Sequence, residues 1–507
     1  MSAAGQRCVS LRGCGVPLRK LVLLRKITVP TEEPRVLKSA MPLLCRVLVP
    51  EVLPAVMADV PAVPEFLPAP PPQLVLPSRV PADLPPEGRA VLAAALAGPL
   101  PAVKREEKGE LVREAVPCRW DDAEIARLRG FLRTVEDLRG RQGRVYPLEY
   151  LAALPLLAGM AGDGELDAAA EWAATAPEQL LVKLGAPLDR EGKPRRPDAG
   201  TIRRGFMGCD QGQYDDALCA WQGARARALR PGMRRHLRID GKAVRGAAPR
   251  GVRAPMLLSG IWDDGTTAAQ LPVDKKTNEI PVFRDLLEKV PAGDLKDAVI
   301  TADQMHTQRK HARKIHAAGG FFVFTIGENQ PKLFAAADAL PWKSIAGDAW
   351  TIDRGHGRVD ARTIKTLPPT PEIRKLFPHA EQVFLVERYS YGLDGELLSA
   401  VAVLGITSLP PGQAGAADLL SYLRGHWSIE MHHYVRDVVL GEDASRTRSA
   451  YRAMAAIRNT VTGILHLHQI PNIAAQLRAC HRDPYQLPLL LLGLMTPLAP
   501  NRNPAVT

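Results

Sequence analysis

Two short strand-like segments that each run into an aspartate constrain this chain more than any other feature. His236–Asp240 (HLRID) alternates like a strand and ends on Asp240. Ala298–Ala302 (AVITA) is wholly apolar, as a strand covered on both faces must be, and is followed at once by Asp303. A carboxylate at such a place is costly unless something answers its charge. For one such residue, an aspartate capping a turn is explanation enough. Two of them, on strands that one sheet sets side by side, favour a divalent-metal site, because carboxylate oxygens are the donors that Mg²⁺ and Mn²⁺ select.

The surrounding segments give the order of that sheet. Pro255–Trp262 and Thr266–Val273 read as strands about an Asp263–Gly265 turn, Ile280–Val290 and Gln308–Ala318 as helices, and Phe321–Ile326 as another buried strand. Strand–strand–strand–helix–strand–helix–strand is the order of a ribonuclease H-like mixed sheet. Four β-patterned stretches follow (Trp350–Asp353, Arg358–Thr366, Gln382–Tyr389 and Leu397–Gly405), and we read them as an insertion over about 340–415 that interrupts the sheet. Ala416–Leu440 and Tyr451–Gln469 are helical. Upstream, helical spacing in Asp121–Val135, Tyr150–Met160, Leu166–Ala174 and Tyr214–Leu229 predicts an all-helical domain over 118–228. About 18 of the 45 prolines lie in the first 103 residues, so 1–117 is expected to be largely extended or disordered, with Met41 and Met57 as alternative starts. The fold class is therefore α+β: a ribonuclease H-like catalytic domain over 229–470, the helical domain and Pro-rich extension before it, and a Leu- and Pro-rich tail at 471–507.

Lys and Arg outnumber Asp and Glu 66 to 54, a net charge of +12 that suits a nucleic-acid partner. The seven cysteines form no CxxC pair and read as reduced thiols. No apolar run approaches the roughly 20 residues a bilayer requires, and the basic start lacks a signal's apolar stretch, so a soluble cytoplasmic protein is expected. There is no Gly-rich phosphate loop, and a nucleotide cofactor is not expected.

Several blocks, Ile239–Gly246 (IDGKAVRG), Lys276–Pro281 (KTNEIP), Thr301–Gln308 (TADQMHTQ), Val323–Lys332 (VFTIGENQPK), Gly355–Arg362 (GHGRVDAR) and Arg424–Asp443 (RGHWSIEMHHYVRDVVLGED), together resemble the ISAs-type DDE transposases, also called H-repeat-associated proteins. The resemblance covers about residues 125–470, and the helical region resembles that family's associated N-terminal domain. It implies a catalytic and metal-binding triad of Asp240, Asp303 and Glu430 holding two Mg²⁺ or Mn²⁺ ions. It also implies strand cleavage and transfer on double-stranded DNA, at element ends and target, by a homodimer or larger assembly. The third acid departs from pattern: Met431 stands where the family has Asn, and His426 and Asp437 stand where related DDE families have Arg and Lys. Glu442 and Asp443 are the alternatives, although Glu442 lies 12 residues on, rotated about 120° around an ideal helix.

Candidate DNA contacts are Lys242, Arg245, His306, Arg424 and His426 near the acids, with Arg203 and Arg204 in a turn-and-helix segment that Thr201 would cap. Each has a plain alternative as a solvated or turn residue. Trp427 reads as a core residue of its helix, with stacking on an unpaired base as the second reading. Asn329 and Gln330 read equally as strand-end caps or DNA contacts. Two other functions stay open: a nuclease of the same fold that cuts without joining, and an inactive DNA-binding relative.

Overall fold

The computed structural model describes residues 84–97 and 122–485, apart from 143, 230–231, 275–277 and 447. Most of the Pro-rich extension, the end of the tail, and Lys276 and Thr277 lie outside the described residues.

In chain order the helices before the sheet are α1 (Pro86–Ala97), α2 (Asp122–Leu132), α3 (Leu148–Met160), α4 (Ala168–Thr175), α5 (Glu178–Leu184), α6 (Ala199–Met207) and α7 (Gln211–Leu229). Strands β1 (His236–Ala243), β2 (Met256–Trp262) and β3 (Thr267–Val273) lead to α8 (Glu279–Lys289) and the short α9 (Ala292–Leu295). Then come β4 (Val299–Ala302), α10 (Arg309–Ala317), β5 (Phe321–Thr325) and α11 (Pro331–Asp338). Strands β6 (Ala349–Gly355) and β7 (Arg358–Leu367), helix α12 (Pro371–Leu376), and strands β8 (Gln382–Gly392) and β9 (Leu397–Thr407) follow. The chain closes with α13 (Ala416–His426), α14 (Ser428–Tyr434), a π turn at Val435–Val439, α15 (Tyr451–Leu467) and α16 (Ile473–Arg482).

The nine strands form one mixed sheet in the order β3-β2-β1-β4-β5-β9-β8-β7-β6. β1 is antiparallel to β2 and parallel to β4, and β4 is parallel to β5. The 345–408 segments were expected to interrupt the sheet. They continue it instead, because β9 pairs antiparallel with the outer edge of β5 through Val323↔Thr407, Phe324↔Ile406 and Thr325↔Gly405. A second departure is α1, a helix where the proline density predicts extended chain. Its two prolines at the start, Pro85 and Pro86, leave an uninterrupted run to Ala97, and Pro is tolerated in a helix's first turn, where its missing N–H has no intrahelical partner.

By compactness the chain divides into two units. One comprises parts of Met1–Ala102, Asp338–Thr366 and Phe384–Leu404, and its core gathers Leu84 and Leu92 of the α1 region with Val359, Ala361, Tyr389 and Tyr391. Arg354 ties α1 down by donating to Ala95 O at 2.8 Å. The other unit holds α2–α7, β1–β5 and α13–α16. Helix α3 is apolar on every side and buried throughout, the pattern of a central helix. Around it, α2–α7 share one continuous core with α15 and α16, where Tyr214 and Trp221 meet Met454, Ile457 and Val461. The expected boundary near 228 therefore does not separate two hydrophobic cores. Helix α6 is capped by Asp198, whose carboxylate accepts from Thr201 N–H at 2.9 Å; Thr201, the expected cap, sits in the first turn. Among the described residues no helix is long and apolar enough to cross a membrane.

One buried group makes this packing sensitive to acid. His311 on α10 is 1% exposed, with Nδ1 3.0 Å from His306 O and Nε2 2.9 Å from Ile280 O. Both facing atoms are acceptors, and a neutral imidazole donates to only one of them. Burial pushes the His311 pKa down to about 4, outweighing the two carbonyls that raise it. The unfolded chain, with a histidine pKa of about 6.5, takes up the proton first, so this contribution to stability is complete above about pH 6.5 and is lost as the pH falls towards 4. Between pH 7 and pH 5 the loss is about 2 kcal/mol. Urea unfolding at the two pH values should show a stability difference about 2 kcal/mol smaller in His311→Gln than in the parent.

Candidate active site

The parallel ladder between β1 and β4 ends at the pair Ile239↔Ala302. Asp240 and Asp303 are the next residue on each strand, so they stand side by side where β4 stops. β1 does not stop there, as its sequence suggested; it runs on to Ala243, pairing Asp240 with Ser259 and Ala243 with Met256 on β2. Alternation along β1 then sorts its neighbours. Ile239 and Gly241 face one way, and Gly241 lies under the carboxyl of Glu279, the first residue of α8. Arg238, Asp240 and Lys242 face the other way, where Arg238 reaches Gly425 O, Asp240 meets His433 and Lys242 meets Asp437. That second face is the surface of α13, α14 and the π turn, which carries Glu430.

The loop bearing Asp303 is clamped from β5 and the turn after it. Thr307 donates to Thr325 O at 2.6 Å, Asn329 donates to Gln304 O at 2.9 Å, and Gln330 donates to Thr307 O at 2.9 Å. The Gln304 amide fills the space where a side chain on Gly327 would begin, 1.1 Å from an ideal Cβ. Asn329 and Gln330 thus hold the loop, in line with the capping reading. On the other flank His426 receives or gives a hydrogen bond at Thr301 Oγ1 (3.0 Å) and sets Nε2 3.6 Å from Asp303 Oδ1.

Negative charge converges on Asp240 from its neighbours. Burial first, then the negative charges of Asp303, Glu279 and Glu430, hold its carboxyl well above the usual carboxylate range. His433 places Nδ1 3.6 Å from Asp240 Oδ2, and burial, with Arg436 and Lys242 adding to it, keeps that imidazole neutral. These are hard oxygen donors of the kind a divalent cation takes. In the present side-chain arrangement, among the described residues, no three His, Cys, Asp or Glu side chains are gathered closely enough to hold a metal ion.

The helix carrying Glu430 is fixed by a buried ionic network. Arg436 and Glu442 are both 0% exposed; Arg436 Nη2 donates to both Glu442 oxygens at 2.8 Å, and its Nη1 donates to Asn459 Oδ1 at 2.9 Å. Lys242 binds Asp437 and comes within 3.6 Å of Glu442, and Arg458 lies 3.8 Å from the same carboxylate. Burial alone would raise the Glu442 carboxyl, but Arg436, Lys242 and Arg458 pull it below its ordinary value. The π turn sets this register, with Leu440 N–H reaching back five residues to Val435 O at 2.9 Å. Glu442 is therefore committed to a structural network, and Asp443 is paired with Arg245 at 3.2 Å. Glu430 is exposed on the side of Asp240.

The expected DNA contacts divide. Lys242 is buried in the network, so the reading of it as a phosphate contact is corrected: its ammonium answers Asp437 and Glu442. His306 is corrected likewise; at 0% exposure, stacked on Phe283 with ring centres 4.8 Å apart, it faces no solvent. Arg245 and Arg424 are exposed, and His426 stands against Asp303. Arg203 and Arg204, on α6, bind Asp167 and Thr201 and are not brought to the acids by any described contact. Trp427 is 51% exposed, against the core reading, and heads an exposed stripe with Met431, Tyr434 and Val438. Sequence reasoning missed Glu279 and His433. The Asn278 cap before Glu279 was a visible signal for a helix start, but nothing local told that the side chain would reach β1.

The family profile described as "Transposase DDE domain" matches residues 220–462, and the one described as "DDE_Tnp_1-associated" matches 130–222. The chain is 29% identical to "Putative transposase YncI" of Escherichia coli O157:H7 over 45% of its own length and 60% of that protein. It is 27% identical to "H repeat-associated putative transposase YhhI" of Escherichia coli K12, over 45% of this chain and 63% of the relative. A shorter match to "H repeat-associated putative transposase YbfD" of the same strain is 34% identical over 18% of this chain and 38% of that one. The matched part thus spans about 60% of the YncI and YhhI proteins. A piggyBac transposase synaptic complex with hairpin DNA aligns at a TM-score of 0.34 with 11% identity over 75% of this chain and 79% of that one, and no residue role is taken from it. The two profiles together cover residues 130–462, the helical region and most of the sheet, and the chain belongs to the DDE transposase family.

Proposed function

We propose that this chain is a divalent-metal-dependent transposase that cleaves DNA at the ends of its own insertion sequence and joins the freed ends to target DNA, using a ribonuclease H-like core. The observation that carries the proposal is the register Ile239↔Ala302, which sets Asp240 beside Asp303, with the charges of Glu279 and Glu430 converging on Asp240. Asp240, Asp303 and Glu430 would hold two Mg²⁺ or Mn²⁺ ions. The repulsion that converges on Asp240 is what such cations answer, and the side chains of Asp303 and Glu430 are both exposed. When bound, paired divalent ions stabilise the attacking and leaving oxygens of an in-line phosphoryl transfer.

The protein's part is to hold these carboxylates in place. β4 and the Asn329–Gln330 clamp fix Asp303, with His426 at its side. The Arg436–Glu442 network fixes the helix that presents Glu430, and neutral His433 orients Asp240 without neutralising it. Water would attack the phosphodiester at the element end, and the resulting 3′-hydroxyl would attack the target strand, with no covalent protein–DNA intermediate. Double-stranded DNA is the partner, contacted by exposed Arg245 and Arg424, in an assembly of at least two copies that acts in the cytoplasm.

Incubating pre-cut element ends with plasmid and Mg²⁺ tests the proposal. Joined products should form with the parent chain and fall at least about a hundredfold in Asp303→Asn and Glu430→Gln. Cleavage without joining would favour a nuclease, and neither activity would favour an inactive DNA-binding relative. The choice of third acid makes a separate prediction. Glu430→Gln, at an exposed position, should leave stability within about 0.5 kcal/mol of the parent, whereas Glu442→Gln strands buried Arg436 and should cost about 3–5 kcal/mol in denaturant unfolding.

A further inference from the structure

We infer that Glu279 is a fourth carboxylate of the cation centre, reaching it across Gly241 and steered by the buried imidazole of His306. The inference rests on the cation reading given above and adds a residue to it. Glu279 opens α8, where Asn278 caps the helix by accepting from Ile280 N–H at 3.1 Å. An acidic residue in a first helical turn is commonplace and favourable to the helix dipole, but such a residue ordinarily points to solvent. Glu279 is 5% exposed and turned onto β1.

Gly241 shows how closely it lies. An ideal Cβ there would fall 2.5 Å from Glu279 Cδ and 2.6 Å from each carboxylate oxygen. Gly241 does not have a positive φ, so its backbone conformation does not demand glycine. What demands it is the carboxylate passing over the strand one residue beyond Asp240. The charge of Glu279 is felt by Asp240, beside those of Asp303 and Glu430.

His306 supplies the independent sign of a ligand. It is 0% exposed, neither of its ring nitrogens has a hydrogen-bond partner, and Nε2 lies 3.5 Å from Glu279 Oε2. Phe283 stacks on His306 at 4.8 Å and on His311 at 4.2 Å, so the ring cannot swing away. A buried polar side chain with unanswered nitrogens calls for a reason. A small inward movement of the Glu279 carboxyl onto His306 Nε2–H would fix one oxygen and leave the other over Gly241, beside Asp240 along the strand, which is how an imidazole outside the coordination sphere orients a carboxylate ligand. Two sequence motifs with no role in the triad, the Asn278–Glu279 pair and the histidine three residues beyond Asp303, thereby acquire a shared one.

The test is calorimetric titration of the full chain with MnCl₂, together with the rise in thermal midpoint that Mn²⁺ produces. Glu279→Gln should weaken Mn²⁺ binding about tenfold or more and shrink the midpoint rise. Glu279→Asp, which keeps the charge but withdraws it by one methylene, should do the same in part, and guards against a glutamine variant that fails to fold. Mn²⁺ binding at parental strength in folded Glu279→Gln and Glu279→Asp, with weakening in Asp303→Asn, would overturn this inference and leave the triad standing. Parent protein that takes up no Mn²⁺ would overturn both.

Discussion

The parallel pairing of β1 with β4 is the constraint from which the site follows. Neither strand needs a special residue to form: one alternates, the other is a four-residue run of Val, Ile, Thr and Ala covered on both faces. Their register, however, ends the ladder one residue before an aspartate on each strand. Strands in a sheet lie about 4.8 Å apart, so two carboxylates placed this way are held within repulsion distance by backbone hydrogen bonds alone. Exposure relieves the repulsion unequally: the Asp303 side chain is half exposed, whereas that of Asp240 is largely shielded beside the helix that carries Glu430. A sheet that spends no side chain on this arrangement can tolerate wide change elsewhere in its core.

The second requirement is a helix that stays over Asp240. Surface ion pairs contribute little, but here the charges are buried and share one carboxylate: Arg436, Lys242 and Arg458 all face Glu442. Such a network adds less stability than apolar packing would, and its value is in geometry. It admits one rotation of the helix after Tyr434, which the π turn sets, and that rotation leaves Glu430 on the side of Asp240.

Much of this was legible in the sequence, and the exceptions have physical causes. β4, β5 and α10 are read from periodicity because their burial is decided by their own apolar residues. β1 was read short because alternation stops at Asp240; beyond it the buried residue is Lys242, and only its partner two hundred residues away makes that tolerable. The insertion was read as interrupting the sheet because pairing of β9 with β5 is a contact across some eighty positions that no local pattern encodes. Helix α1 was hidden by the prolines around it. Within the site, Asp240 and Asp303 announce themselves as acids after apolar strands, whereas Glu279 and His433 are ordinary helix residues until tertiary packing aims them. Trp427 looked like core because large aromatic residues in helices usually are, and only the structure shows it on the outer face.

The alternation along β1 has a consequence for how such a chain can vary. Its odd-numbered residues meet α8 and its even-numbered ones meet α13, α14 and the π turn, so the strand is read on both sides at once. Single replacements can be absorbed on either side. Insertion or loss of one residue between His236 and Ala243 cannot, since it would exchange the two faces, presenting Gly241 to the Glu430 helix and the aspartate to Phe283's neighbourhood. Drift in this segment is therefore confined to changes of residue type at constant length.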